Sequence, residues 1–389
     1  MSAQNSRLTV KKIAAAALAI GLVPVAGTTI AAGTAGAQDN AENIKYEKAT
    51  AEQRVVKTDL ADGRMIISIW SPSMEKEVPN IVQAPKKDGR GNQAPVSYLV
   101  NGAGGGEDAA TWQAQSDVKD FMSSKDAWTV TPIGGAFSYY TDWQAPDPNV
   151  DTEYASADKP MRFETYLAKE LPAQFEAWLN ANQYDAPVSE PANKLTVEID
   201  NNRKRALSAI SMTATSVITI AENHPGVFQF IGSYSGCAET STPIGHQAIE
   251  IVTGMRGGAN LDNMWGPYPG DGWTNNDPVV NAWKLKEQGA NMPAMYITTG
   301  NGLPGPYETL DNPRLKNSGP ALANQAIVGG VIEAATNYCT ANLGRRFNEL
   351  GIPGDKAQFN FKPNGTHSWG YWQDDLHESW PRLSAAIGA

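Results

Sequence analysis

Ser211 sits in the stretch Leu207-Ser208-Ala209-Ile210-Ser211-Met212-Thr213-Ala214-Thr215, small residues between two apolar runs. A serine that is to attack an acyl carbon is often mounted on a tight strand-to-helix turn. The residues two before and two after it must then be small, which gives the signature G-x-S-x-G. Ala209 and Thr213 hold those places here, so the motif is degenerate. By itself it describes equally well a helix start capped by Ser211. A nucleophilic serine also needs a base to take its proton, an acid to hold that base, and donors for the oxyanion. His367 follows directly on the predicted last strand Gln358–Phe361, in the run Asn364-Gly365-Thr366-His367-Ser368-Trp369, and is the best-placed base. His224 precedes Pro225 beside the elbow helix, and His246 and His377 follow no predicted strand. Hydrolases with this elbow carry their triad in the order Ser, acid, His. Glu308, Asp311 and Glu333 all lie in that interval, and spacing does not separate them.

The elements that must position these groups alternate in type. Val55–Asp59 and Arg64–Trp70 read as strands around Ala61-Asp62-Gly63, and Pro95–Val100 is a short apolar strand that ends in Asn101-Gly102-Ala103-Gly104-Gly105-Gly106. A strand running into glycines and then a helix (Thr111 to Phe121) brings backbone N–H groups close to a ligand. The run lacks the Lys-Ser/Thr ending of a P-loop and the spacing of G-x-G-x-x-G. Strand Trp128–Ile133, a helical pattern from Phe163 to Leu179, a helix over Thr213–Glu222 and strand Val227–Tyr234 follow. Strand Ala294–Thr299, a helix from Ala321 to Leu343 carrying Glu333, and the last strand complete the pattern. Strands alternating with helices predict an α/β fold with a mostly parallel central sheet flanked by helices.

Arg7, Lys11 and Lys12 precede an apolar run from Ile13 to about Ala26, and Ala35-Gly36-Ala37 supplies an A-x-A cleavage site. Residues 1–37 therefore read as a secretory signal peptide, with too short an apolar run for a stable membrane span. Residues 38–52 are polar and expected to be loosely ordered, and 53–389, free of repeats and clear linkers, form one catalytic domain. Loss of the three basic residues of the signal peptide takes the net charge from −10 to −13, a balance that disfavours nucleic acid. The two cysteines, Cys237 and Cys339, are a candidate disulfide in an exported chain and would tie the nucleophile's side of the fold to the acid's helix. No H-E-x-x-H or clustered Cys/His spacing supports a metal site, and the chemistry calls for no cofactor.

Several stretches together resemble the mycolyltransferases of the antigen 85 type. They are Ala209-Ile210-Ser211-Met212, Phe137 to Trp143, Met264-Trp265-Gly266-Pro267, Asn276-Asp277-Pro278, Gly300-Asn301-Gly302 and, above all, Phe359 to Trp369. The resemblance runs from about Val55 to the C-terminus. It implies an α/β-hydrolase fold and a secreted, envelope-associated enzyme that passes a mycoloyl group from trehalose monomycolate through an acyl-serine to a hydroxyl acceptor. Acceptors of that kind are trehalose monomycolate, arabinogalactan or a protein serine, and peripheral contact with the mycolate outer membrane is expected. It assigns Ser211 as nucleophile, His367 as base and Glu333 as the acid that spacing left open. It also gives the backbone N–H groups of Ala103 and Met212 as oxyanion donors. Expected substrate contacts are Asn101, Gly102, Trp265, Ser368 and Trp369. Transfer at the expense of hydrolysis predicts an apolar acyl tunnel, with Tyr139, Tyr140, Trp265 and Trp369 as lining. Where the family usually reads Leu-Asp-Gly-Leu-Arg, this chain has Val100-Asn101-Gly102-Ala103-Gly104, so a carboxylate and a guanidinium expected at the sugar pocket are replaced by Asn101 and Gly104. The same chemistry ending on water would make a carboxylesterase, and a glycan-binding relative would need no acylation at all.

Overall fold

The computed structural model describes residues 44–181 and 199–389. The signal peptide with its cleavage near Ala37, residues 38–43 and most of the polar insertion after Ala181 lie outside the described residues. The apolar segments assemble into one sheet of nine strands: β1 (Val55–Asp59), β2 (Met65–Ser71), β3 (Lys76–Gln83), β4 (Val96–Val100), β5 (Trp128–Pro132), β6 (Arg205–Ile210), β7 (Phe230–Tyr234), β8 (Ala294–Thr299) and β9 (Ala357–Phe361). Their spatial order is β1-β2-β3-β5-β4-β6-β7-β8-β9. The first three strands are antiparallel, β3 pairs antiparallel with β5, and every later pairing is parallel. This is the expected α/β architecture.

β3 is an addition to the strands expected from the sequence. Its Pro79 lacks the N–H a ladder needs, which argues against an internal strand. The conflict is resolved by register, because pairing with β5 begins only at Asn80↔Pro132, one residue beyond the proline. From Ile44 the chain is fastened along this antiparallel half more closely than its polar composition suggests. The Tyr46 hydroxyl donates to Glu77 (3.1 Å), the Ala49 N–H donates to Ser68 Oγ (2.9 Å), and Ile44 and Tyr46 pack on Ile66, Ile81 and Ile133.

α1 (Leu171–Ala181) packs against β1 and β2, and four helices frame the parallel half: α2 (Ser211–Asn223), α3 (Pro278–Glu287), α4 (Gly330–Leu350) and α5 (Trp369–Ile387). Strand alternation divides the core in two. Leu207, Ala209, Ile231, Met295 and Ile297 face Val217, Ile220, Leu285, Leu343 and Phe347 of α2, α3 and α4. Ala206, Ile210, Phe230, Tyr234 and Tyr296 face the opposite layer, where Trp112, Trp369, Trp372, Leu376 and Leu383 pack. Each large side chain so buried contributes about 1.5–3 kcal/mol of transfer free energy, which holds both layers onto the sheet.

Because β4 to β9 run in one direction, the loops after β4, β6, β7, β8 and β9 all emerge at the same edge. The carboxyl edge of a parallel sheet is where ligands of such folds bind. Among the described residues no helix is long and apolar enough to cross a membrane.

Candidate active site

β6 ends at Ile210 in extended backbone, and Ser211, the first residue of α2, turns to a φ of 56°. A left-handed residue other than glycine costs roughly 1–2 kcal/mol, so this turn is held by its surroundings. Both flanking positions of the degenerate motif are buried. Ala209 leaves room, and Thr213 uses its extra atoms: its hydroxyl donates to the carbonyl of Asn101 at 2.6 Å. The elbow helix is thereby tied to the glycine-rich loop after β4. Below the helix, a Cβ on Gly236 would come within 2.7 Å of the Thr215 N, so the loop after β7 can pass only as glycine.

His367 Nε2 lies 2.7 Å from Ser211 Oγ, and its Nδ1 lies 2.8 Å from Glu333 Oε2. Glu333 projects from the first turn of α4 and is buried. Its other oxygen, Oε1, accepts from Ser235 Oγ (2.8 Å), Thr299 Oγ1 (3.0 Å) and the Gly300 N–H (2.6 Å). Burial works to raise the carboxyl's pKa, but the hydrogen bond and charge of His367, with the donors Ser235 and Gly300, outweigh it and hold the group below the ordinary range. A carboxylate that stays ionised accepts a hydrogen bond from the Nδ1–H of the imidazole, which leaves Nε2 free to accept from the serine. Of the three acids left open by spacing, only Glu333 meets His367. Glu308 accepts instead from Thr366 Oγ1, Gln325 Nε2 and Tyr371 Oη, each at 2.6 Å, and so braces the loop beside the histidine. Asp311 is exposed. The remaining histidines are engaged elsewhere: His224 with Glu164, His246 packed at a tilt against Tyr268, and His377 with Asp117.

Residues without a sequence signal complete the support. The Trp372 indole N–H donates to Ser235 Oγ (3.0 Å), and its ring packs edge-on against His367 with centroids 5.0 Å apart. Lys362, at the start of the histidine loop, donates to the Tyr371 carbonyl (3.2 Å) and pairs with the buried Asp375 of α5 (2.5 Å). Both ends of the loop are thus pinned to α5. Cys237 and Cys339 form a disulfide with Cα atoms 4.9 Å apart. It links the loop after β7 to α4, and the carbonyl of Cys237 also accepts from Thr215 Oγ1 of the elbow helix (3.0 Å).

The glycine-rich loop lies against the serine: a Cβ on Gly102 would be 3.3 Å from Ser211 Cβ. The N–H of Met212 lies in the first turn of α2, where no helical acceptor exists. Among the described residues, neither it nor the N–H of Ala103 donates to a backbone acceptor outside the regular elements.

Most of the side chains expected at the substrate are engaged in packing. Asn101 is fully buried, and its Oδ1 accepts the Trp112 N–H (3.0 Å). It shapes the loop. Trp265 is buried with its indole N–H on Thr141 Oγ1 (3.1 Å) and its ring against Tyr139 and Trp273. Trp369 packs on Trp112 and Trp372, and Ser368 is buried ahead of α5. The gap that Tyr139, Tyr140 and Trp265 leave beside α2 measures about 10 Å³, far too small for an acyl chain. A cavity of about 500 Å³ bounded by Ile44, Tyr46, Glu107, Thr152 and Tyr154 includes no member of the triad. Apolar surface near His367 is open instead. Leu303, whose carbonyl accepts the Gly365 N–H, and Ile327, Val328 and Ile332, flanking the Gly329 that accepts the His367 N–H, are exposed.

Comparison with known proteins bears on this arrangement. The profile of the esterase family matches residues 71–383. The diacylglycerol acyltransferase/mycolyltransferase Ag85A of Mycobacterium tuberculosis is 27% identical over 323 residues, covering 83% of this chain and 81% of the relative. Its counterpart Ag85B of Mycobacterium intracellulare is 28% identical over 299 residues, 77% of each chain. Among solved structures, MPT51 (FbpC1) of Mycobacterium tuberculosis superposes with a TM-score of 0.59 at 22% identity, over 85% of this chain and 99% of that one. The fold is that of the α/β-hydrolases.

Proposed function

The chain belongs to the esterase family, with antigen 85 mycolyltransferases among its relatives, and from that premise we propose that it transfers a long acyl group through Ser211. The observation that carries this reading is the single imidazole that bridges Ser211 and the buried Glu333 at 2.7 and 2.8 Å. In the first half-reaction Ser211 Oγ attacks the ester carbonyl of the donor while its proton passes to His367 Nε2. The oxyanion is met by the N–H groups of Met212 and Ala103. His367 then protonates the departing alcohol oxygen, and the acyl group remains on the serine. In the second half-reaction an acceptor hydroxyl gives its proton to the same Nε2, its oxygen bonds to the acyl carbon, the bond from that carbon to Ser211 Oγ breaks, and Nε2 returns the proton to Oγ. Glu333 stays ionised throughout and stabilises the imidazolium that forms twice.

The relatives' names, diacylglycerol acyltransferase/mycolyltransferase, support a mycoloyl group as the cargo, and the resemblance of the sequence motifs supports trehalose monomycolate as its donor and a place at the cell envelope after export. The exposed Leu303, Ile327, Val328 and Ile332 support an acyl chain laid along open apolar surface beside His367. This reading replaces the enclosed tunnel expected from sequence. The test is incubation with trehalose monomycolate and mass spectrometry of the protein and products. The expected result is a mycoloyl adduct on Ser211 and an acylated acceptor, both lost in Ser211→Ala. Free acid without transfer would make the protein a carboxylesterase, and no adduct would refute acyl chemistry altogether.

A further inference from the structure

The side chain of Trp372 reaches both halves of the pair that Glu333 and His367 make. Its ring plane stands at 87° to the His367 imidazole with centroids 5.0 Å apart, and its Nε1–H donates to Ser235 Oγ at 3.0 Å. Ser235 Oγ lies in turn 2.8 Å from Glu333 Oε1. Trp372, Ser235 and Glu333 are all buried, so these bonds are made out of reach of bulk solvent. Chemistry then fixes the direction of the protons. An indole nitrogen only donates and an ionised carboxylate only accepts, whereas a hydroxyl has one proton and can also accept. Ser235 Oγ therefore accepts from Trp372 and gives its single proton to Glu333. Thr299, the other hydroxyl on Oε1, is not committed in this way, because its Oγ1 lies equally close to the Gly300 carbonyl (3.0 Å) and within 3.2 Å of Thr336 Oγ1. Hydrogen bonds in series polarise one another, so the indole strengthens the bond from Ser235 to the carboxylate.

The backbone singles out the same residue. Ser235 has a φ of 60°, in the left-handed region, with its N–H on the Thr298 carbonyl (2.9 Å). Glycine would take that conformation without strain but would bring no hydroxyl. Strain of this kind persists where the surroundings over-determine it, and it collects at functional sites. Trp372 is equally fixed on α5, its ring 5.2 Å from that of Trp369 and at 81° to it. We propose that Trp372 is a positioning residue for acyl transfer: through Ser235 it fixes the proton that braces Glu333, and its ring bounds the imidazole that Glu333 holds. The role rests on the acyl-serine reading above, and because the imidazolium forms in both half-reactions it operates in both. Donors on Oε1 disperse the charge of the carboxylate. With Ser235 removed, more of that charge faces the imidazole, and the pair takes up a proton at higher pH. Nε2 must be unprotonated to accept from Ser211, so the acid limb of the acylation profile moves up. The charged groups that grip the histidine loop, Glu308 on Thr366 and Asp375 on Lys362, are not members of this chain of bonds.

The experiment is burst kinetics with p-nitrophenyl butanoate across pH for the wild type, Ser235→Ala, Trp372→Phe and the double variant, with urea unfolding of each. Ser235→Ala is expected to lower the burst rate constant about tenfold at saturating ester and to leave the half-saturating concentration unchanged, since both side chains are buried and act through Glu333. Its acid limb should rise by roughly half a pH unit or more. Trp372→Phe should lower the rate about threefold and move the limb the same way when Ser235 is present, and should do neither in the Ser235→Ala background, the mark of action through the hydroxyl. Equal losses from Trp372→Phe in both backgrounds, or an acid limb that moves in neither single variant, would overturn the proposal. If Trp372→Phe does not fold, β-(3-benzothienyl)alanine at position 372 keeps both rings and lacks only the N–H, and the same outcomes decide. No burst in the wild type would refute the acyl reading instead. The pair is then followed by NMR of the His367 ring: a titration moved upward in Ser235→Ala and Trp372→Phe upholds the role of Trp372, and an unmoved one overturns it.

Discussion

Replacing Glu333 by glutamine tests the site most severely. The carboxylate is buried, with Oε1 taken by Ser235, Thr299 and Gly300 and Oε2 by His367. Glutamine has nearly the same volume but only one acceptor oxygen. Three donors compete for that oxygen on the Oε1 side, so the amide nitrogen is left facing His367 Nδ1. An N–H there forces Nδ1 to accept, which moves the imidazole proton to Nε2, 2.7 Å from Ser211 Oγ. In that tautomer the histidine cannot take the serine proton. The expected loss is about 10⁴-fold in acylation, the size seen when a triad carboxylate becomes an amide in a serine protease, or about 5.5 kcal/mol in the barrier. Burst kinetics with p-nitrophenyl butanoate measure it, and thermal unfolding of the variant checks that the fold is retained. Glu333 also links stability to pH. Its folded pKa lies below the unfolded value of 4.5, so its contribution is present above pH 4.5 and is lost as the pH falls through the folded value. The glutamine variant should lack that part of the acid transition. Acylation above about one tenth of wild type in a folded variant would refute the tautomer reasoning.

Three further outcomes follow from the support around the site. Replacing both Cys237 and Cys339 by serine opens a loop of 102 residues, which should cost about 4–5 kcal/mol in a denaturant titration on the chain-entropy account; a loss below about 1 kcal/mol would show that the unfolded chain is scarcely constrained. Thr213→Val keeps the shape but removes the hydroxyl that donates to Asn101, leaving a carbonyl unpaired between elbow and loop. Stability should fall by about 1–3 kcal/mol with a matching loss in acylation, and an unchanged burst rate would separate Thr213 from oxyanion-loop positioning. Asp375 is pushed up from 3.8 to about 7 by burial, against the pull of Lys362, so the folded protein holds a proton there that the unfolded chain has lost. Wild-type stability should therefore decline as the pH rises from about 4 to about 7. Asp375→Asn should remove that slope, which chemical denaturation across the range would detect.

Local patterning carried a large part of the molecule. The serine turn, the glycine-rich loop after a strand and the histidine after the last strand each depend on neighbours within a few residues, and the two cysteines had only one possible partner. Alternation of apolar segments was enough for an α/β sheet. It missed β3, where Pro79 argues locally against a strand and register alone makes it acceptable. It also missed α5, whose tryptophans take their burial from the far side of the sheet.

Resemblance supplied Glu333 as the acid, and its geometry belongs to tertiary structure. Glu308 and Asp311 are no worse placed along the chain, but a carboxylate becomes a histidine's partner through burial and through donors from β7, β8 and the loop after them. The same holds for the aromatic residues expected at the substrate. Composition marks Trp265 and Trp369 as large and amphipathic, but whether such a ring faces a ligand or a core depends on what the opposite layer presents. The sequence alone determined that a serine, a histidine and a loop of free N–H groups would be carried to one edge of the sheet. Only the tertiary structure decided which acid holds the histidine, by bringing the donors Ser235, Thr299 and Gly300 onto Glu333 from strand ends far apart in the chain. Charge and burial act through space, and separation along the chain carries no record of it.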